Sequence, residues 1–107
     1  MKRYGSVVEV HPHKYEEYKR LHAAAWPGVL DRLKASHFSN YSIFYREGWL
    51  FSYFEYLGDD FEADVAAVAA DKTTQEWWAV CIPCLKPLDS LPEGEIWAPM
   101  EEIFHLD

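Results

Sequence analysis

Basic residues are scarce in this 107-residue chain: ten lysines and arginines stand against 18 aspartates and glutamates, a formal charge of −8 at pH 7. With no concentrated basic stripe, that balance excludes a nucleic-acid surface or an anionic membrane as partner, because either polyanion would be repelled. Long apolar runs are missing too. No stretch approaches the roughly 20 residues that a membrane helix needs. Lys2-Arg3 leads into an alternating run, Tyr4 to Val10, and not into the unbroken apolar segment of a secretory signal. A cytoplasmic protein is expected. Cysteine is limited to Cys81 and Cys84, a lone C-x-x-C that follows a helical pattern and contains Pro83. A redox dithiol would follow a strand and open a helix, so partly buried free thiols are the expectation. Neither a second C-x-x-C nor an adjacent histidine pair completes a zinc site. His11 and His13 with His22 or His105 form a poorer metal set, since Pro12 puts a turn between the first two.

What is plentiful is aromatic: five tryptophans, seven tyrosines and six phenylalanines, in a chain that is 50% apolar. The length supports one domain, 1–107, and cannot feed two cores. So many rings in so small a domain imply leftover aromatic surface, for a pocket, a partner or both.

Periodicity gives the order strand, helix, strand, strand, helix, strand. Arg3 to Val10 alternates with β-branched positions and reads as a strand ending at His11-Pro12. His13 to Ala25 switches to helical spacing. Pro27 should stop that helix at Trp26 and open a second piece carrying Val29, Leu30 and Leu33. Ser39–Arg46 and Trp49–Tyr56 flank Glu47-Gly48, a hairpin signal. Gly58-Asp59-Asp60 offers an N-cap for an alanine-rich helix, Phe61 to Ala70. Thr73 with Glu76 resembles a capping box that starts a further helix with Trp77, Trp78 and Cys81. Leu85 to Pro99, rich in proline, reads as a loop, and Glu101 to Leu106 as the last strand.

This order predicts an α+β fold, a ferredoxin-like β-α-β-β-α-β sandwich with helices on one face of an antiparallel sheet. In the hairpin, Tyr41, Ile43 and Tyr45 fall on one side and Phe44 on the other, while Trp49, Phe51 and Tyr53 oppose Leu50, Phe54 and Tyr56. A sheet apolar on both faces leaves a patch to cover, and a sheet-to-sheet homodimer is the economical cover.

Tyr18 and His22 lie four residues apart on the first helix and therefore share a face. Alone, that stripe fits a helix packed on a sheet equally well, with His22 a satisfied edge histidine and Tyr18 a core aromatic. Tyr41 from the hairpin and Trp77-Trp78 from the last helix add rings around His22. For the two tryptophans, a shared core role and a split between core and pocket wall remain equal alternatives. Aromatic walls with a few polar groups are the makeup of a sugar site.

The chain resembles the L-rhamnose mutarotase family along nearly its whole length. The resemblance rests on E-E-Y-K-R-L-H (Glu16 to His22), W-P (Trp26-Pro27), N-Y-S-I-F (Asn40 to Phe44), T-Q-E-W-W (Thr74 to Trp78) and P-M-E-E-I-F-H-L-D (Pro99 to Asp107). It implies a cofactor-free isomerase that interconverts the anomers of a 6-deoxy monosaccharide, L-rhamnose or else L-fucose, as a ferredoxin-like dimer of the dimeric α/β-barrel type. It further implies that His22 is the proton donor and that Tyr18, Tyr41, Trp77 and Trp78 contact the sugar. Histidine suits the task, since its ordinary pKa of about 6.5 lets it give and take protons near neutrality. In the expected chemistry, His22 protonates the ring oxygen while Tyr18 or Tyr41 handles the anomeric hydroxyl. The rival readings are a dimeric α/β-barrel monooxygenase-like enzyme and a non-catalytic sugar-binding module.

Overall fold

The alternating amino-terminal run becomes β1 (Lys2–Val10), the strand around which the others assemble in a computed structural model that describes all of residues 1–107. A short 3-10 turn at Pro12–Lys14 leads into α1 (Tyr15–Ala23), followed by α2 (Pro27–Ala35) and the hairpin β2 (Phe38–Arg46) and β3 (Trp49–Tyr56). Then come α3 (Phe61–Ala70), α4 (Lys72–Cys81), and two short strands, β4 (Leu85–Lys86) and β5 (Ala98–Met100). The sheet runs β2-β3-β1-β4, with β5 also on β1, and every pairing is antiparallel. This is the expected ferredoxin-like α+β order, each of its two helical crossovers split in two. No helix is long and apolar enough to cross a membrane.

Register fixes what each face carries. Val8 opposes Leu50 and Ser6 opposes Ser52, and these inward positions meet the helices. Val8, Val10 and Leu50 are almost fully buried and form the core with Val29, Tyr18, Trp77, Cys81, Cys84 and Leu85. On the hairpin, Ile43 opposes Ser52 and Tyr45 opposes Leu50, so Ile43 and Tyr45 also point inward. A bulge between Ser39 and Ser42 inserts one residue, Asn40, held at φ +48° with its side-chain amide donating to Glu55 Oε1 at 2.7 Å. Because side-chain direction alternates with period two, that extra residue lets Phe38 and Tyr41 both face the helices.

The opposite face carries Phe44, Phe51, Tyr53, Val7 and Met100, with no helix over it. Phe44 is 65% exposed there. Residues 101–107 have no regular structure; Glu102 accepts a hydrogen bond from Arg3 at 2.9 Å, and Ile103, Phe104 and Leu106 project outward.

Three local expectations change. The final strand is Ala98–Met100 and not Glu101–Leu106, and Leu85–Lys86, inside the expected loop, also joins β1. Proline misleads here: Pro99 sits in an outer strand, where one missing N–H is tolerated. The cap of α4 is Asp71, not a Thr73–Glu76 box, for its carboxylate accepts from the Thr74 N–H at 3.0 Å and the Thr74 hydroxyl at 2.8 Å. The first helix proper spans Tyr15–Ala23, shorter at both ends than His13–Ala25, since the Pro12 turn precedes it and Pro27 begins the next helix. The expected cap of α3 is Asp60, which accepts from the Ala63 N–H at 3.1 Å.

Candidate active site

Helix α1 is held on the sheet by Tyr15, whose ring stacks on Tyr45 of β2 at 3.8 Å. One turn on, the Tyr18 ring is buried and stacks against the His22 imidazole at 4.1 Å. From α4, the Trp77 indole meets the other side of His22 edge-on at 5.1 Å and is itself braced by Trp26 at 5.3 Å. Adjacent residues of a helix diverge by about 100°. Trp77 therefore turns mostly into the core, at 6% exposed, with an edge left on the cavity, while Trp78, at 37%, is an open wall. Both tryptophans line the cavity, Trp77 from the core side.

The cavity has two adjoining lobes, of about 510 and 410 Å³, which share His22, Tyr41, Ile43, Trp77 and Trp78 as lining. The smaller lobe adds Tyr18, Cys81 and the loop residues Gly94, Ile96 and Trp97. Of the five expected site residues, His22, Tyr41, Trp77 and Trp78 border both lobes and Tyr18 borders the smaller. Sequence reasoning missed Ile43, although it placed that residue on the correct face, and it missed the loop wall. An Ile96-Trp97 pair inside a proline-rich loop is the signal that could have found it, because loops expose large apolar groups only where something covers them.

The imidazole has a defined tautomer. Its Nδ1 lies 2.9 Å from the Tyr18 carbonyl oxygen, which can only accept, so Nδ1 carries the hydrogen and Nε2 keeps a lone pair. Burial lowers the His22 pKa below its ordinary 6.5, and the bond to the carbonyl offsets part of that. The ring is therefore neutral at pH 7. Burial raises the Tyr18 phenol first, with Tyr41, Cys81 and Cys84 nearby adding to it, and burial alone raises Tyr41. Tyr41 is 43% exposed and borders both lobes of the cavity. Both tyrosines stay protonated and can donate. Cys81, pushed up to about 12 by burial, is a thiol and not a nucleophile at neutral pH.

No carboxylate, lysine or arginine lines either lobe, which leaves His22 as the only side chain there that exchanges protons near neutrality. His11 and His13 lie 5.7 Å apart ring to ring, and no three His, Cys, Asp or Glu side chains gather as a metal set.

A family model described as L-rhamnose mutarotase matches residues 3–106. The chain is 38% identical to an L-rhamnose mutarotase of Bacillus subtilis, with all of both chains covered. It is 35% identical to one of Shouchella clausii, over 99% of each chain. Its fold is similar to that of the crystal structure of an L-rhamnose mutarotase from Formosa agariphila, with a TM-score of 0.79 at 23% identity and full coverage of both chains.

Proposed function

The chain belongs to the L-rhamnose mutarotase family and is an isomerase by that membership, and from this premise we propose that it interconverts the α and β anomers of L-rhamnose through His22. The observation that carries the chemistry is a neutral imidazole with a free Nε2 lone pair on the wall of an aromatic cavity.

Ring opening moves one proton. The anomeric O1–H loses it, the ring oxygen O5 gains it, and the C1–O5 bond breaks as C1=O1 forms. Both oxygens are bonded to C1, so one Nε2 can take the proton from O1 and deliver it to O5. His22 is then a proton donor, as the family resemblance implies, but a base first, because a neutral ring must accept before it gives. After rotation about C1–C2 the same steps run backwards on the other face of the aldehyde. No electrons change hands, and the reaction calls for neither metal nor redox cofactor. Tyr18 and Tyr41 donate to sugar oxygens, and the indoles of Trp77 and Trp78 pack on its C–H surface. A positioned acid–base group supplies roughly 10²- to 10⁴-fold, a useful gain where anomers already exchange slowly in water.

The working unit in this reading is a homodimer joined through the open sheet face. Phe44, Phe51 and Met100 give that face an apolar patch, and the outward Ile103, Phe104 and Leu106 give a second copy something to bind. A reducing cytoplasm suits its two unpaired thiols.

Saturation-transfer NMR between the two H1 resonances of L-rhamnose tests the activity, with L-fucose alongside. Added protein is expected to speed exchange for L-rhamnose. An unchanged exchange rate for both sugars overturns the assignment.

A further inference from the structure

The two lobes differ in chemistry. The smaller one adds Tyr18, whose ring stacks on His22, together with Cys81, Gly94 and Trp97. Beyond the shared residues, the larger lobe is walled by Ala25, Val29, Leu33, Phe38, Val65 and their apolar neighbours. Its one further polar side chain, Thr74, is buried with its hydroxyl already donating to Asp71. The smaller lobe, at about 410 Å³, falls within the roughly 300–1,000 Å³ that small-molecule sites occupy. It can house the sugar without help.

A bare pyranose seated in the smaller lobe leaves most of the other 510 Å³ unfilled. Each hydroxyl buried there without a partner costs roughly tenfold in affinity. Yet this space is also bordered by the His22 imidazole, and Leu30 and Val65, which line it, present exposed apolar surface. Helix α3 closes one side and is tied to the sheet, where the Tyr56 hydroxyl donates to Asp64 and His37 Nδ1 reaches the same carboxylate oxygen at 3.0 Å. The lobe is thus a built compartment and not a gap between loose elements.

Resting on the mutarotase reading above, we propose that this site takes 6-deoxy aldoses bearing an apolar ether or ester group on a ring hydroxyl remote from C1, the substituent lying in the lobe between α2, α3 and the β2–β3 hairpin. The reducing end stays at His22 Nε2, and the substituent passes between Tyr41 and Trp78 into the apolar compartment. The fit is directional, because beyond the side chains that the lobes share the larger one offers hydroxyls no free partner.

The test measures KM from polarimetry of freshly dissolved pure anomers, using L-rhamnose and its 3-O- and 4-O-methyl, propyl and benzyl ethers. For at least one ring position, KM is expected to fall about fourfold for each methylene buried, down the series from methyl to propyl. In Val65→Phe and, independently, Leu30→Trp, which narrow the lobe away from the sugar, KM for the benzyl ether should rise at least tenfold while L-rhamnose stays within twofold. L-Rhamnose turned over with no ether bound better than it sinks this proposal and leaves the mutarotase reading standing. No turnover of any member sinks both. Equal losses for L-rhamnose and the ether in both variants also count against the lobe.

Discussion

Replacing Asp71 with alanine should cost far more than an ordinary surface change. The Asp71 carboxylate accepts from the Thr74 N–H and from the Thr74 hydroxyl through one oxygen. Losing the cap costs about 1 kcal/mol. Thr74 is only 1% exposed, so its hydroxyl would be left in the core without an acceptor, a further 1–3 kcal/mol or so. A total of about 2–4 kcal/mol is a large part of the roughly 5–15 kcal/mol that stabilises a domain. At about 5 °C per kcal/mol for a chain of this size, the melting temperature should fall by roughly 10–20 °C. Asp71→Asn keeps an acceptor oxygen in place and should lose less than half as much. Thermal unfolding by circular dichroism reads both. A drop of less than about 3 °C for Asp71→Ala would mean that another group, such as a Thr73–Glu76 box, caps the helix that carries Trp77 and Trp78.

Other outcomes follow from the same geometry. With the His22 pKa held below 6.5, kcat/KM should be flat from pH 7 upward and fall tenfold per pH unit once pH drops below the folded value. No basic limb should appear before pH 10, because both tyrosines are raised above that figure; a limb centred near pH 8 would contradict it. Stability has the same sign: the unfolded chain takes up the His22 proton near pH 6.5 before the folded one does, so unfolding free energy should decline as pH falls below that point. Tyr18→Phe keeps the ring that stacks on His22 and deletes the donor, which should lower kcat/KM about tenfold with little change in melting temperature. Phe51→Glu on the open face should turn a dimer into a monomer in sedimentation velocity; a monomeric parent at micromolar concentration would refute the sheet-to-sheet pairing.

Much of the fold was written in short-range pattern. Alternation in β1, Glu47-Gly48 between two aromatic runs, and Pro27 after Trp26 each fix a local conformation that tertiary packing then keeps. The stretch from Leu85 to Asp107 was not legible, because β4 and β5 are two and three residues long and exist only through pairing with β1. Edge pairing of that kind leaves almost no periodic trace. In the site, Tyr18 and His22 were visible as an i,i+4 pair, and Tyr41 as an inward hairpin residue. That Phe38 shares its face was hidden, since the Asn40 bulge shifts parity by one and depends on a hydrogen bond to a residue 15 positions away. The tautomer of His22 was equally out of reach from sequence, being set by a backbone carbonyl at a particular distance.

Transfer of the proton between O1 and O5 by His22 Nε2 is tested most directly by the exchange rate of L-rhamnose anomers, measured by saturation transfer in His22→Ala. A folded variant, shown by an unaltered circular-dichroism spectrum, should lose roughly 10²- to 10⁴-fold of the enzymatic rate. A folded His22→Ala that exchanges anomers as fast as the parent would contradict the mechanism outright.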